Sequence, residues 1–248
     1  MTQFLISIMD ITPLSDSLSG DKALYDKAFK LVPGYRQQKI CNLKNDAAKC
    51  RSLAAGLLLN YTTRAFISSS VTGSLADNTP LAKKLPFPVT VSDAASTYMQ
   101  KYDYETACGT NGKPYFKDHL YFNLSHSGNF AVCIVAGMPC GIDVEGNRPF
   151  KPSVAKRFFS ETEYHWIYDT ENVSVQAERF FRLWTLKEAY AKATGNGIAA
   201  EIHAASYVPD TYSDVLCFAD SETAAHFQIK EAEYDRLRIA AVLSDSAF

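Results

Sequence analysis

Residues 180–192 read FFRLWTLKEAYAK, and this stretch carries most of the information in the chain. It predicts a single helix. Trp184, Glu188 and Lys192 follow one another at intervals of four residues, so they share one face of that helix. On this face the Glu188 carboxylate lies about one turn after the Trp184 indole, and the Lys192 ammonium lies about one turn further.

A second informative stretch lies upstream, where residues 141–145 read GIDVE and predict a strand. Asp143 and Glu145 alternate with two aliphatic residues, so both carboxylates point to one side and the aliphatic side chains to the other, which we expect to be the core. With Glu188 they give three carboxylates on two rigid elements. Such a set of carboxylates suits Mg²⁺ or Mn²⁺ beside phosphate oxygens better than zinc.

Both patterns are also consistent with ordinary structural roles. Asp143 and Glu145 can form the solvated face of an edge strand, and Glu188 and Lys192 can form an exposed ion pair worth about 0.3 kcal/mol. The nearby Trp184 and the glycine-containing turn that follows the helix favour the rim of an active site instead.

Other residues have the chemistry of an anion site. Ser125 and His126 end a predicted strand, where a hydroxyl, an imidazole and loop amides can hold a phosphate; a structural histidine is the alternative. Adjacent strand residues diverge, which argues against a Ser–His nucleophile pair. Lys113 follows an Asn-Gly turn. A basic run that can border a site for several phosphates comprises Arg36, Lys39, Lys44, Lys49 and Arg51.

The remaining pattern predicts a mixture of helices and short strands. Long helices are expected at residues 46–67 and 173–194, the second ended by Gly195, and a capping box at Ser160 and Glu163 opens a shorter helix. A further helix is expected at 21–31, and strands are expected at 2–10, 121–124, 130–136, 140–145, 203–208, 215–218, 226–230 and 237–243. This is the pattern of an α+β fold.

The element order indicates how this fold is organised. At 248 residues the chain can form one large domain or two small ones. We expect two similar lobes, an N-terminal lobe of residues 1–140 and a C-terminal lobe of residues 141–248. Each would be a long helix packed on a small, mostly antiparallel sheet, with the Asp143 strand at the junction.

Composition excludes several classes of protein. A net charge of −2 argues against a protein whose whole surface binds nucleic acid. No apolar run is long enough to span a bilayer. The apolar N-terminus lacks a basic flank and predicts a first strand rather than a signal peptide. The 6 cysteines contain no CxxC pair, which predicts reduced thiols in a cytoplasmic protein. Two lobes in one chain can complete a site, so we expect a monomer.

The motifs occur in one order, and this ordered set resembles the Sfp-type 4'-phosphopantetheinyl transferases. The resemblance covers residues 36–198, and the pairing of GIDVE with WTLKEA is its most specific part. The matching pieces are Lys39, Arg51, Gly56, Gly112-Lys113-Pro114, Asn123-Leu124-Ser125-His126-Ser127, Gly141-Ile142-Asp143-Val144-Glu145, the stretch Lys156 to Tyr164, Trp184-Thr185-Leu186-Lys187-Glu188-Ala189 and Gly195-Asn196-Gly197-Ile198.

The resemblance implies a fold of two lobes related by a pseudo-twofold axis, and a reaction. Phosphopantetheine would pass from coenzyme A to a serine of an apo acyl or peptidyl carrier protein, releasing adenosine 3',5'-bisphosphate. Asp143, Glu145 and Glu188 would hold Mg²⁺ on the pyrophosphate. Glu188 would also take the serine proton, directly or through a metal-bound water, and Lys192 would lie against the attacked phosphate.

The resemblance also implies where coenzyme A is bound. His126 and Arg51 would lie near its 3'-phosphate. The full set of implied contacts is Arg36, Lys39, Arg51, Lys113, Pro114, Ser125, His126, Lys187 and Lys192.

One departure concerns residues 68–96, which lengthen the chain relative to compact family members and match no motif. The segment after Ile198, expected to help dock the carrier, matches weakly.

Two other functions could use the same residues. A Mg²⁺-dependent nucleotide pyrophosphatase would use the same acids with water as nucleophile, whereas a coenzyme A-binding module would not need the three acids.

Overall fold

The structure is a computed structural model that describes residues 4–72, 89–92, 104–108, 113–117, 120–146, 148–210 and 215–245. The helices are α1 (Thr12–Ser19), α2 (Ala23–Phe29), α3 (Gly34–Cys41), α4 (Asp46–Thr72), α5 (Pro152–Phe158), α6 (Glu161–Tyr168), α7 (Val173–Thr194), α8 (Ile198–Glu201) and α9 (Ser221–His226). The strands are β1 (Phe4–Asp10), β2 (Val89–Ser92), β3 (Thr106–Cys108), β4 (Pro114–Phe116), β5 (Tyr121–Ser127), β6 (Phe130–Ala136), β7 (Cys140–Gly146), β8 (Tyr207–Pro209), β9 (Leu216–Phe218), β10 (Phe227–Tyr234) and β11 (Leu237–Ser244).

The chain divides into two compact units. Unit 1 comprises Met1–Ala107 and Pro114–Gly137, and unit 2 comprises Cys108–Lys113 and Met138–Phe248. Lys113, which we had placed in the N-terminal lobe, thus belongs to unit 2. The assignment of separate functions to residues 1–140 and 141–248 stays a prediction.

Unit 1 is built around the long helix α4. This helix packs on β6 and β1 of a four-stranded sheet whose order is β2-β1-β6-β5. The β1–β2 pair is parallel, and the β1–β6 and β5–β6 pairs are antiparallel. Consecutive apolar residues in α4, such as Leu57, Leu58 and Leu59, are buried because the helix is enclosed on several sides. Phe116 and Phe122 extend this core with an aromatic contact.

Unit 2 repeats the combination of one long helix and a small antiparallel sheet. Helix α7 packs on β7 and β11 of a sheet with the order β10-β11-β7. Its core is aromatic: Phe159, Phe180, Tyr207 and Phe218 are buried with Leu186. The expected α+β class, with helices on mostly antiparallel sheets, is therefore confirmed.

Local sequence signals account for the ends of the motif helix. Asn172 accepts hydrogen bonds from the first-turn amides of α7, and Gly195 ends the helix in the left-handed conformation with φ of 79°. The expected bounds, 173–194, are those observed. The capping box is also present: Ser160 accepts from the backbone amide of Glu163, whose side chain accepts from the Ser160 amide.

Other predictions were less accurate. Helix α1 was not predicted, and the strand expected at 203–208 is limited to Tyr207–Pro209. The two last strands are longer than expected and meet at a tight hairpin in which Asp235 and Arg236 both have positive φ. Asp235 is a common first residue of such a turn, but Arg236 stands where glycine is usual, so the sequence signal is incomplete.

Two expectations concern parts of the chain outside the description. The extra segment at 68–96 is described only where α4 runs to Thr72 and where β2 pairs with β1. The Asn111-Gly112 turn also lies outside the described residues. Within the described ranges, no helix is long and apolar enough to cross a membrane.

Candidate active site

Strand β7 brings its two carboxylates to the side of the sheet that faces α7. Gly141 lies on the same side of the strand and packs directly on the helix: a Cβ there would come within 2.1 Å of the Ala189 carbonyl oxygen. Asp143 is buried and Glu145 is half-buried, two and four residues further along this side. The intervening Ile142 is fully buried on the other face, as predicted.

Helix α7 contributes the acid and the lysine expected from the sequence. From Phe180 to Ala193 its residues are buried except Trp184, Glu188 and Lys192, which are half-buried. The shared face predicted from the spacing is thus present. It places Lys192 against β7, where its Nζ lies 2.6 Å from Oδ1 of Asp143.

The surroundings of Glu188 raise the pKa of its carboxyl group. Burial raises its pKa, and so do the negative charges of Asp143 and, more weakly, Glu145. The ammonium of Lys192 acts in the opposite direction. The site is therefore a concentration of negative charge that Lys192 compensates only in part.

Arg148 is a member of the site that sequence reasoning missed. Its guanidinium donates to both carboxylate oxygens of Glu145, at 2.7 and 3.2 Å, and lies over the ring of Phe181. Each acid of β7 therefore has a protein cation: Lys192 for Asp143, and Arg148 for Glu145. The three-residue spacing from Glu145 was the available signal, but it does not distinguish this pair from an ordinary surface contact.

The three acids match a hard cation in chemistry, since they offer only carboxylate oxygens from two elements that pack together. As placed, the described residues do not form a cluster of three or more metal-ligating side chains. Arg148 contacts both oxygens of Glu145, whereas Lys192 contacts Oδ1 of Asp143, so a cation would compete with Arg148 for Glu145. Asp143, Glu145 and Glu188 are the residues that could hold it.

Lys187 has a different role from the one implied by the resemblance. Its ammonium is buried, 3.1 Å from Glu163 and within 3.0 Å of the carbonyl oxygens of Ile202 and Ala205. Burial lowers the pKa of Lys187, and Glu163 opposes that shift. Glu163 also accepts from the Tyr207 amide. The ammonium of Lys187 therefore serves an internal network and does not match the expected coenzyme A contact.

Lys113 also departs from expectation. Its Nζ donates to the carbonyl oxygens of Cys140, at 3.1 Å, and Ala193, at 2.8 Å. Partial burial lowers its pKa. The ammonium that was expected at a loop tip thus lies between β7 and the end of α7, within unit 2. The adjacent Pro114 is exposed as the first residue of β4.

In unit 1, Ser125 and His126 lie near the end of β5, just before the hairpin that leads to β6. They pair with Val132 and Ala131 of β6, and Gly128 makes the turn with φ of 55°. His126 is exposed and Ser125 is half-buried, on opposite faces of the strand. This geometry agrees with the argument against a Ser–His nucleophile pair.

The basic residues of unit 1 differ in how firmly they are held. The side chain of Arg36 packs against Gly56, where an added Cβ would come within 2.4 Å of the Arg36 Cδ. Its guanidinium donates to the Ser52 carbonyl oxygen at 3.2 Å. Its Nε is buried without a hydrogen-bond acceptor in the described part of the chain. Lys39 is exposed on α3, and Arg51 is half-buried on α4.

Comparison with known proteins supports the resemblance. Residues 139–242 match the model of the 4'-phosphopantetheinyl transferase superfamily. The chain is 40% identical over 92 residues to the 4'-phosphopantetheinyl transferase gsp of Aneurinibacillus migulanus, covering 37% of this chain and 38% of that protein. It is 36% identical over 103 residues to the 4'-phosphopantetheinyl transferase Sfp of Bacillus subtilis, covering 41% and 46%. For the 4'-phosphopantetheinyl transferase HetI of Nostoc, the identity is 47% over 107 residues, covering 40% and 43%.

These matches confirm the resemblance to Sfp-type enzymes that the motifs indicated. The chain spans less than half the length of these three relatives, between 38% and 46%. Among solved structures, the holo-[acyl-carrier-protein] synthase of Thermotoga maritima overlaps with a TM-score of 0.35 and 20% identity, covering 44% of this chain and 64% of that one. That likeness is too weak to define the fold.

Proposed function

We propose that this chain transfers the 4'-phosphopantetheine group of coenzyme A to a serine of an apo acyl or peptidyl carrier protein and releases adenosine 3',5'-bisphosphate. The observation that carries the proposal is the constellation on β7 and α7. Asp143 is paired with Lys192, and Glu188 interacts with both acids of β7. All of these residues lie in the part of the chain that is similar to the transferase superfamily.

The acids and the lysine have separate roles in this proposal. Asp143, Glu145 and Glu188 would hold Mg²⁺, or Mn²⁺, which when bound neutralises phosphate charge. Glu188 is also proposed to accept the proton of the attacking serine, directly or through a metal-bound water. Lys192 stabilises the negative charge that develops on the phosphate and the leaving group.

Residues of unit 1 are proposed to bind the donor. Arg36 supports this role, because its buried Nε needs an acceptor and phosphate oxygens are suitable acceptors. The exposed imidazole of His126 and the half-buried guanidinium of Arg51 are assigned to the 3'-phosphate. The remaining proposed contacts are Lys39, Pro114 and Ser125.

The finer expectations from the sequence accompany this function as proposals. They are a pseudo-twofold relation between the two lobes, a monomeric state, a cytoplasmic location, and partners limited to coenzyme A and a carrier protein, without nucleic acid or membrane.

The test measures adenosine 3',5'-bisphosphate by chromatography after incubation with coenzyme A and Mg²⁺, with and without an apo-carrier. A transferase releases the nucleotide only when the carrier is present. Release without carrier would instead indicate the pyrophosphatase. Binding of coenzyme A with no release in either mixture would indicate a binding module. Serine-to-alanine substitution at the modified position of the carrier is the matched control, and it should abolish release.

A further inference from the structure

Lys113 connects the two elements that carry the candidate active site. Its single ammonium donates to the first residue of β7, through the Cys140 carbonyl, and to the last turn of α7, through the Ala193 carbonyl. These partners are 27 and 80 residues away in sequence, so the contact depends on the tertiary structure. Asp143 follows Cys140 by three residues, and Lys192 immediately precedes Ala193.

The Ala193 carbonyl is suited to such a partner. It belongs to one of the last four residues of α7, and the carbonyl oxygens of these residues have no backbone N–H donor within a regular helix. Gly195 donates to the Ala191 carbonyl instead. A cation at this end also interacts favourably with the helix dipole. The ammonium of Lys113 therefore satisfies a helix end, and its charge has a use there that does not require a phosphate.

The same end of the helix is where β7 approaches most closely. At Gly141, an added Cβ would come within 2.4 Å of the Ala193 amide nitrogen and 2.9 Å of the Lys192 carbonyl carbon. The strand and the helix are thus in direct backbone contact next to both partners of Lys113. The aliphatic part of Lys113 also lies close to Gly195: an added Cβ at Gly195 would be 3.3 Å from the Lys113 Cδ.

We propose that Lys113 is a positioning residue: it holds the start of β7 against the last turn of α7 and thereby keeps Lys192 at Asp143. It acts through these residues and does not contact the donor with its ammonium. The kinetic consequence rests on the proposed transferase function. The structural consequence, that the Asp143–Lys192 contact depends on Lys113, does not.

The kinetic test compares Lys113→Met and Lys113→Arg with the wild type. Lys117→Met is the matched control, since Lys117 is exposed and pairs with the exposed Glu105. We expect Lys113→Met to lower kcat by about 10- to 100-fold per folded molecule, because small misplacements of reacting groups have effects of that size. KM for coenzyme A should change less than about twofold. Lys113→Arg, which keeps the charge and donors, should recover part of kcat. A raised KM with unchanged kcat would overturn the proposal.

A second test does not need activity, so it separates failure of this inference from failure of the proposed function. A double-mutant cycle with Asp143→Asn and Lys192→Met, followed by urea unfolding, measures the coupling between these two residues. We expect a measurable coupling when Lys113 is present and its loss in the Lys113→Met background. Equal coupling in both backgrounds would contradict the proposal. If Lys113→Met does not fold, Lys113→Gln replaces it in both tests, because it keeps an amide donor without the charge.

Discussion

At the scale of single residues, Glu188 is an acid of the candidate site whose pKa is raised by its surroundings. Its carboxylate is half-buried and faces two other acids, Asp143 and Glu145. A carboxylate in this environment is less stable when ionised, so it binds a proton more readily than usual. The same property makes the ionised, metal-free protein less stable.

We predict that Glu188→Gln stabilises the metal-free protein at neutral pH. The folded-state pKa lies above the ordinary value of 4.5, so the cost of ionisation is absent below that pH and grows as the pH rises through the raised pKa. The melting temperature, measured with a chelator from acidic to neutral pH, should therefore separate variant and wild type increasingly as the pH rises. Glu171→Gln, at an exposed side chain outside the helices, is the control and should leave the pH profile unchanged. Parallel profiles for Glu188→Gln and wild type would show that the burial and repulsion are unimportant.

Lys192 is predicted to act on the chemical step. Its ammonium is placed at Asp143, on the same helix face as Glu188, and its charge matters most as negative charge grows in the transition state. Lys192→Ala should lower kcat by about 100-fold, while KM for coenzyme A changes by only a few-fold. Steady-state kinetics at saturating carrier measure both values, with Lys117→Ala as control. A change in KM alone would contradict this prediction and would favour an ordinary ion pair between Glu188 and Lys192.

At the scale of elements, the contact between β7 and α7 sets the geometry of the site. Gly141 allows the strand to touch the helix backbone near its C-terminal end, so no side chain separates Asp143 from Lys192. The buried pair of Glu163 and Lys187 joins α6 to α7 and to the backbone at Tyr207. The site is therefore supported by contacts that are distant in sequence.

Gly141→Ala is predicted to destabilise the protein by about 1–3 kcal/mol or more, because the new methyl group would overlap the Ala189 carbonyl and force the strand away from the helix. Gly137→Ala is the matched control, since an added Cβ there meets nothing within 4 Å. Its effect should be smaller than about 0.5 kcal/mol. Urea unfolding followed by circular dichroism measures both free energies. Equal stabilities for the two variants would show that the close approach at Gly141 is not required.

Elements with strong local signals were predictable from the sequence. Helix α7 has an Asn cap, a continuous helical pattern and a terminal glycine, and its bounds were predicted correctly. Contacts between distant segments were not predictable. The partners of Lys113 and Lys187 are backbone carbonyls, which carry no sequence signal. Both lysines therefore matched the motifs, although the structure gives their ammonium groups internal roles.

At the scale of the whole molecule, the two units carry different parts of the proposed function. Unit 2 contains the acids, Lys192 and the region similar to the transferase superfamily. Unit 1 contains the basic and polar residues assigned to the donor, such as Arg36 and His126. The sequence indicated this sorting through the order of its motifs. It could not indicate that Lys113 packs with unit 2, because that depends on how the chain returns after a segment without recognisable motifs.

The most direct test of the central claim is the intact mass of purified apo acyl and peptidyl carriers after incubation with this protein, coenzyme A and Mg²⁺. We predict that at least one carrier gains the mass of a single phosphopantetheine group. Asp143→Ala should slow this gain by at least about 100-fold while the protein remains folded, because it removes a charge needed beside the polyphosphate. If diverse carriers all keep their apo mass, or if Asp143→Ala modifies them at the wild-type rate, the account is contradicted.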